Sequence, residues 1–453
     1  MFKSKYIHEC FINSKLLLFH TLTFSYEILT GEDIVLWEKN KFDFISNKKL
    51  GKLISKLFIV EDKGSDEALL NKAITLLGNK GRLKPQFFIY VTTECNLNCP
   101  YCYQRDYKSK NITISKKHVD SVVTTIDLLS KKENKHLVIF GGEPLLPQNK
   151  QIIEYMFDRF KTIDATVEIV TNGIYLKQYD DVLSSNKQMI KILRFTLNGP
   201  KKIHNFIRDN SNFDTFSIIT DNIRYVLNKY DHIQVIINFL LDKLNCDSIS
   251  DLFNELEIND ILGKQNCRIE FGRIQSRKHP ENNFYKNELP YTEYYPVLLR
   301  TKLKDKRITD EMLIGSEVSI LGKIYRQFLK KEIAIPNLKG CKAIYPGVFA
   351  FYPDGKIYPC DEIAGDVSYA IGQYYPYFMF YKEKENWSSY SVLDNEKCLK
   401  CKFIGMCNGG CLVSNLAVNG DINSPYCLDI ENSLNNFLVE LELEGFFNGQ
   451  DYS

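Results

Sequence analysis

The chain carries 13 cysteines in 453 residues, and most of them fall in two groups. Cys95, Cys99 and Cys102 sit on one short stretch, Cys95-Asn-Leu-Asn-Cys99-Pro-Tyr-Cys102. In a reducing compartment thiols persist as metal ligands or reactive groups rather than as a disulfide scaffold. Three thiolates on one tight loop fit a [4Fe-4S] cube, and they leave one iron open for a non-protein ligand. A zinc site wants a fourth protein ligand, and the nearest candidate, His118, lies beyond a long polar loop on a predicted helix. The second group reads Cys341-x13-Gly355-x4-Cys360, then Cys398-x2-Cys401-x5-Cys407-x3-Cys411, then Cys427. A single zinc ribbon of Cys398, Cys401, Cys407 and Cys411 leaves three thiols unexplained, so two metal centres are the economical reading. Cys10, Cys246 and Cys267 stand alone and read as small buried side chains.

These residues need a scaffold, and the chain supplies a repeated one from Gln86 onward. Short apolar runs alternate with helical patterns, the signature of βα units. Strands are expected at Phe87 to Thr92, His136 to Phe140, Thr166 to Thr171, Ile192 to Thr196, Ile233 to Leu240 and Arg268 to Ile274. Helical faces lie between them, such as Val119, Val122, Val123, Ile126 and Leu129 behind a Ser115 N-cap, and Ile219, Ile223, Val226, Leu227 and Tyr230. Six units fall short of a closed eight-stranded barrel. The expected fold class is therefore α/β, a partial (β/α)6 TIM-type barrel with its chemistry at the C-terminal strand ends.

Residues 1–84 read as a separate small α+β unit. It has a hairpin of Leu16 to Phe19 with Ser25 to Leu29, a helix through Leu50, Leu53, Ile54 and Leu57, and a strand at Phe58 to Val60. Lys80, Gly81 and Lys84-Pro85 form a linker into the barrel at 85–280. Residues 281–335 read as a bridging segment of mixed helix and loop. Residues 336–453 hold the second cysteine group and end in an amphipathic helix through Leu434, Phe437, Leu438 and Leu441.

Composition removes several classes of function. Lys+Arg 58 against Asp+Glu 56 gives a net charge of +2, which excludes a polyelectrolyte binder, so no nucleic-acid partner is expected. The longest apolar run, Ala343 to Tyr352, is too short to span a bilayer, so no membrane partner is expected either. His8, Glu9, Asn13 and Lys15 interrupt the start of the chain, which lacks a secretory apolar core. A cytoplasmic location is expected.

The Cys-x3-Cys-x-aromatic-Cys motif after the first barrel strand resembles the signature of the radical S-adenosylmethionine (SAM) enzymes. The resemblance implies a cluster whose open iron takes the amino and carboxylate groups of SAM, fed by a one-electron reductant such as flavodoxin or ferredoxin. Reductive cleavage then yields a 5′-deoxyadenosyl radical. It also implies cofactor contacts at the strand ends. Tyr101 is the aromatic of the motif. Gly141-Gly142-Glu143-Pro144 resembles the Gly-Gly-Glu element that receives the SAM ammonium, and Thr171 and Asn172 close the third strand. Thr196-Leu197-Asn198-Gly199-Pro200 resembles Ser-x-Asp-Gly-Pro, with Asn198 in place of the carboxylate, so that it can hydrogen-bond but cannot act as a base. Arg208 and Asn238 complete the set.

The C-terminal spacing resembles the SPASM extension, which carries two auxiliary [4Fe-4S] clusters and makes three clusters in all. Matching positions would give Cys398, Cys401, Cys407 and Cys427 to the outer cluster, and Cys341, Cys360 and Cys411 to the inner one. A further cysteine that some relatives carry six residues after the first is here Gly347. Asp361 matches the general base of the anaerobic sulfatase maturases. The amino-terminal unit looks like the winged-helix-like element that binds the leader of a precursor peptide by adding a strand to a sheet edge. The expected function is a ribosomal-peptide maturase that installs a thioether or carbon–carbon cross-link. The alternatives are a formylglycine-forming oxidase of sulfatases and a non-catalytic zinc or iron-sulfur protein.

Overall fold

The computed structural model describes all residues except 63, 79–84, 106–110, 131–134, 211–212, 281–283, 315–319, 331–335, 337, 339–340, 345–346 and 448–453. The expected linker residues Lys80, Gly81 and Lys84 lie outside the described residues. Six parallel strands follow one another across a sheet: β1 (Gln86–Tyr90), β2 (Lys135–Phe140), β3 (Ala165–Thr171), β4 (Ile190–Leu197), β5 (Gln234–Leu241) and β6 (Cys267–Arg273). Each neighbouring pair is parallel, as right-handed βα crossovers require. Alternate side chains face the helices, and there Leu137, Ile139, Val167, Ile169, Leu193, Phe195, Ile237 and Phe239 are fully or almost fully buried. The other face is concave and more polar, and it carries Glu168, Arg194, Thr196, Asn238 and Glu270. Arg194 ties this face together, with Nε 2.6 Å from Glu168 and Nη1 2.6 Å from Glu270.

The sheet does not end at β1. The apolar stretch ahead of Cys360 supplies β7 (Val348–Phe351), which pairs parallel with β1, and β8 (Lys356–Tyr358) folds back antiparallel on β7. Two further short strands, Gly372–Gln373 and Met379–Phe380, complete a ten-stranded sheet. The barrel is thus extended at its first strand by the segment that bears the second cysteine group. β8 runs back toward the start of β1, and the turn after it returns to the barrel strand through Asp361, whose carbonyl accepts from the Tyr90 hydroxyl at 2.8 Å.

In the amino-terminal unit Lys15–His20 and Tyr26–Thr30 form the expected hairpin, with Phe19 opposite Tyr26 and Leu16 opposite Leu29. Ile7–Ile12 adds a third antiparallel strand that sequence reasoning missed. The expected helix spans Asn47–Ser55 and stops before Leu57, whose φ is 64°. Ile59–Val60 pairs with Phe2–Lys3. The bridging segment holds helices Tyr291–Lys304, Asp310–Ile314 and Ile320–Lys330. The last helix, Ile430–Leu443, buries Leu434, Phe437, Leu438 and Leu441 as its spacing requires. Arg300 to Glu440 at 2.6 Å fastens it to the bridging helix Tyr291–Lys304, and His8 to Asn435 at 2.8 Å fastens it to the strand Ile7–Ile12. Among the described residues no helix is long and apolar enough to cross a membrane.

Candidate active site

The first cysteine loop leaves the C-terminal end of β1 and is held there by backbone contacts that only glycine permits. A Cβ at Gly141 would lie 2.6 Å from the Thr92 carbonyl, and one at Gly142 would lie 2.1 Å from that of Glu94. The close approach lets Gly142 N–H donate to Thr92 O and Glu143 N–H to Glu94 O, each at 2.8 Å. The Glu143 carboxylate is buried and accepts from Thr171 Oγ1 at 2.6 Å, Asn172 N at 2.7 Å and Leu145 N at 2.9 Å. Burial raises its pKa, while these three donors and Arg208 pull it down. Asn172 Nδ2 donates in turn to Asn96 Oδ1 at 2.7 Å, inside the cysteine loop. Glu143, Thr171 and Asn172 therefore form one chain of hydrogen bonds that ends beside Cys95.

Tyr101 joins the loop to the fourth strand. Its hydroxyl donates to Asn198 Oδ1 at 2.8 Å and accepts from Arg208 Nη1 at 2.9 Å. Burial pushes the phenol up, so it remains a neutral donor. Burial acts to lower the Arg208 guanidinium, but Tyr101 and the neighbouring thiols Cys99 and Cys95 raise it overall, so it is a fixed cation. Arg208 is 8% exposed, and its Nε has no hydrogen-bond partner. Asn96 Nδ2 is also buried without a partner. Unsatisfied buried donors are costly. Two of them beside three thiols suit an anionic group, so the residues fit a SAM carboxylate next to a three-thiolate cluster. Thr196 and Asn238 are half-buried cross-strand neighbours on the concave face, set back along β4 and β5. His118 is not near this loop. Its ring lies 4.1 Å from that of Tyr375, and Nδ1 is 2.6 Å from Ser115 Oγ.

The C-terminal thiols fall into two electrostatic neighbourhoods. Burial raises the Cys407 thiol to about 11, and its charged neighbours are Cys427, Cys398 and Cys401. Burial is the main cause of the raised Cys341 and Cys360 thiols, with Cys411 a charged neighbour of Cys341 and Cys341 a charged neighbour of Cys360. Among the described residues no three His, Cys, Asp or Glu side chains converge on a single-ion site. Gly347 leaves no room for a side chain, because a Cβ there would lie 1.6 Å from the Lys342 carbonyl oxygen. Asp361 follows Cys360, whose Sγ is 3.7 Å from Asp361 Oδ1.

Two residues absent from the sequence reading connect the cysteine regions. Tyr90, the last residue of β1, donates its hydroxyl to the Asp361 carbonyl at 2.8 Å. Its oxygen is 3.5 Å from that of Tyr103, which directly follows Cys102. Burial holds both phenols well above their ordinary range. No local motif flags these tyrosines, since Tyr90 and Asp361 are 271 positions apart.

Residues 89–256 match the radical SAM superfamily. The chain thus carries a radical SAM domain over those residues. It is 22% identical over 428 residues to the radical SAM cyclopropyl synthase TigE of Paramaledivibacter caminithermalis, covering 82% of this chain and 79% of that protein. It is 25% identical over 345 residues to the cysteine-type anaerobic sulfatase-maturating enzyme of Clostridium perfringens strain 13, covering 71% and 86%. Among solved structures, Streptococcus suis SuiB bound to its precursor peptide SuiA shares the fold, with a TM-score of 0.52 at 16% identity over 95% of this chain and 99% of that one.

Proposed function

We propose that this chain is a radical SAM maturase that acts on a ribosomally made precursor peptide and forms a thioether or carbon–carbon cross-link. The observation that carries the reading is the position of Cys95, Cys99 and Cys102 at the mouth of the barrel, beside a buried Arg208 whose Nε lacks a partner. When bound, a [4Fe-4S] cluster and SAM supply a 5′-deoxyadenosyl radical that removes hydrogen from an unactivated carbon. The chain's own residues orient and exclude. Cys95, Cys99 and Cys102 would hold the cluster. Arg208, steadied by Tyr101, receives the SAM carboxylate. Gly141, Gly142, Glu143, Thr171 and Asn172 would line the ammonium and methionine side and Thr196 and Asn238 the ribose side, while Asn198, buried with its amide engaged by Tyr101 and Leu240, positions Tyr101.

Cys398, Cys401, Cys407 and Cys427 would hold an outer auxiliary cluster, and Cys341, Cys360 and Cys411 an inner one. Forming a new bond at a carbon radical releases one proton and one electron. Asp361 would serve as the base for the proton, and Cys341, Cys360 and Cys411 would hold a cluster able to accept an electron. Tyr90 fixes the backbone of Asp361 by its hydrogen bond to the carbonyl. The amino-terminal unit recruits the peptide leader, and a flavodoxin or ferredoxin supplies the reducing electron. The likeness to SuiB, solved with a precursor peptide, supports a peptide substrate.

A second reading, oxidation of a sulfatase Cys or Ser to formylglycine, is favoured by Asp361 and by the sulfatase-maturating relative. Co-expression with a small Cys-rich or aromatic-rich peptide encoded beside the gene, followed by mass spectrometry, separates the two. Loss of two hydrogens with a new cross-link supports the maturase. Conversion of a sulfatase peptide alone, with no change in the small peptide, supports the oxidase.

A further inference from the structure

A buried cation stands among the inner thiols. Arg277 lies four residues beyond the end of β6, on the segment that leaves the barrel for the C-terminal region. Its backbone carbonyl accepts from Ser414 Oγ at 2.8 Å, on the helix Leu412–Asn419 that Cys411 caps. Its Nε is 3.2 Å from Glu362 Oε1, two residues after Cys360, an ion pair whose geometry falls outside a hydrogen bond. The next residue, Lys278, reaches Asp366 at 2.6 Å. Glu362 thus holds the guanidinium, while Ser414 and Lys278 fix the backbone that carries it. Burial acts to lower its pKa, but Glu362 and then Cys411 and Cys360 raise it overall, so it remains charged. Among the described residues, the raised Cys398 and Cys407 thiols have other thiols as their charged neighbours, with Lys397 beside Cys398, and no arginine among their causes.

This asymmetry matches the thiol count. The outer group has four thiols, whereas the inner group has three, and the backbone at Gly347 leaves no room for a fourth at that position. A buried anionic site needs a partner charge, because an unpaired charge in a low-dielectric interior is unfavourable. We propose that Arg277 is the counter-ion of the inner three-thiolate site and that it sets the reduction potential of the cluster held there. The inference rests on the reading above that this site holds an auxiliary cluster. Reduction adds an electron, and a nearby buried cation favours the reduced form, so Arg277 raises the potential of the inner site relative to a charge-neutral environment. An electron released during bond formation beside Asp361 then has a favourable acceptor.

The test is an anaerobic redox titration of the full chain followed by EPR, with iron counted in each preparation. Wild-type protein should hold roughly twelve irons. Arg277→Gln should shift one cluster signal to lower potential and leave the others in place, or should lose about four irons. Arg277→Lys, which keeps the charge, should restore the wild-type behaviour in large part. Glu362→Gln, which removes the paired anion, should move the same signal to higher potential. Full iron with unmoved potentials in Arg277→Gln would overturn the inference, as would an Arg277→Lys protein that behaves like Arg277→Gln. About four irons in wild-type protein would instead overturn the auxiliary-cluster reading on which the inference stands.

Discussion

Arg208 donates to the Tyr101 hydroxyl at 2.9 Å, and the same hydroxyl donates to Asn198 at 2.8 Å. One phenol therefore ties the cysteine loop to the end of the fourth strand and steadies a cation beside Cys99. The arrangement explains why an amide serves at position 198. A neutral acceptor suffices for the phenol, and Asn198 Nδ2 is spent on the Leu240 carbonyl at 3.2 Å.

Tyr101→Phe removes both hydrogen bonds and leaves Arg208 less restrained. A hydrogen bond to a charged group contributes about 1.5–3 kcal/mol, so SAM should bind roughly 10- to 100-fold more weakly. Equilibrium dialysis with labelled SAM on iron-loaded protein measures this. Unchanged affinity would separate Arg208 from SAM binding.

Glu143→Gln replaces an oxygen that accepts from the protein with an amino group that cannot. One of the donors from Thr171, Asn172 or Leu145 then goes unsatisfied, at a cost of about 1–3 kcal/mol. Because Asn172 also holds Asn96, the cysteine loop should loosen with it. We expect a lower melting temperature and faster release of iron from this site to a chelator. Equal release rates would show that the loop is held by its glycine contacts alone.

Gly347→Ala should not be tolerated, and Gly347→Cys should not supply a fourth inner ligand. Either Cβ would enter the space of the Lys342 carbonyl, and Gly347 O also accepts from Gln86 N at 2.7 Å at the start of the first strand. Both variants are expected to lose iron rather than gain a ligand. Full iron together with a thiolate-like change in the EPR of the inner cluster would contradict this.

Much of this architecture is legible in the chain because its signals are local. The six parallel strands are short apolar runs bounded by Gly, Asn and Pro, and they fall within a few residues of the expected positions. Ile7–Ile12 went unread because His8, Glu9 and Cys10 disguise its alternation, although His8 and Cys10 are buried beneath the sheet. β7 was read only as an apolar run, since its pairing with β1 spans some 260 positions and leaves no trace in local period. Tyr90 and Arg277 are hidden for a like reason, since their partners Asp361 and Glu362 lie on the C-terminal segment. Each acts through a partner that sequence spacing cannot bring near, whereas the cysteines announce themselves by clustering.

Acid should weaken the amino-terminal unit through His20. The ring is fully buried, and its Nδ1 accepts backbone N–H groups from Leu22 at 3.4 Å and Thr23 at 3.2 Å. Burial lowers its pKa from 6.5 to about 4, against a weaker opposing pull from Asp66. Between those values the unfolded chain binds a proton that the folded chain refuses. The stability contribution is therefore complete above pH 6.5 and is lost as pH falls toward 4, by about 3 kcal/mol in total. Melting curves across this range should fall more steeply for the wild type than for His20→Gln. Parallel curves would remove His20 as the cause.

The most direct measurement is reductive cleavage of SAM by anaerobically prepared protein, with 5′-deoxyadenosine and methionine quantified together for wild type and Cys99→Ala. Equal amounts of the two products from wild type, and none from the variant, are the expected result. Wild-type protein with its full iron that leaves SAM intact, or a Cys99→Ala protein that cleaves it undiminished, would contradict a three-thiolate cluster at the barrel mouth as the source of the chemistry.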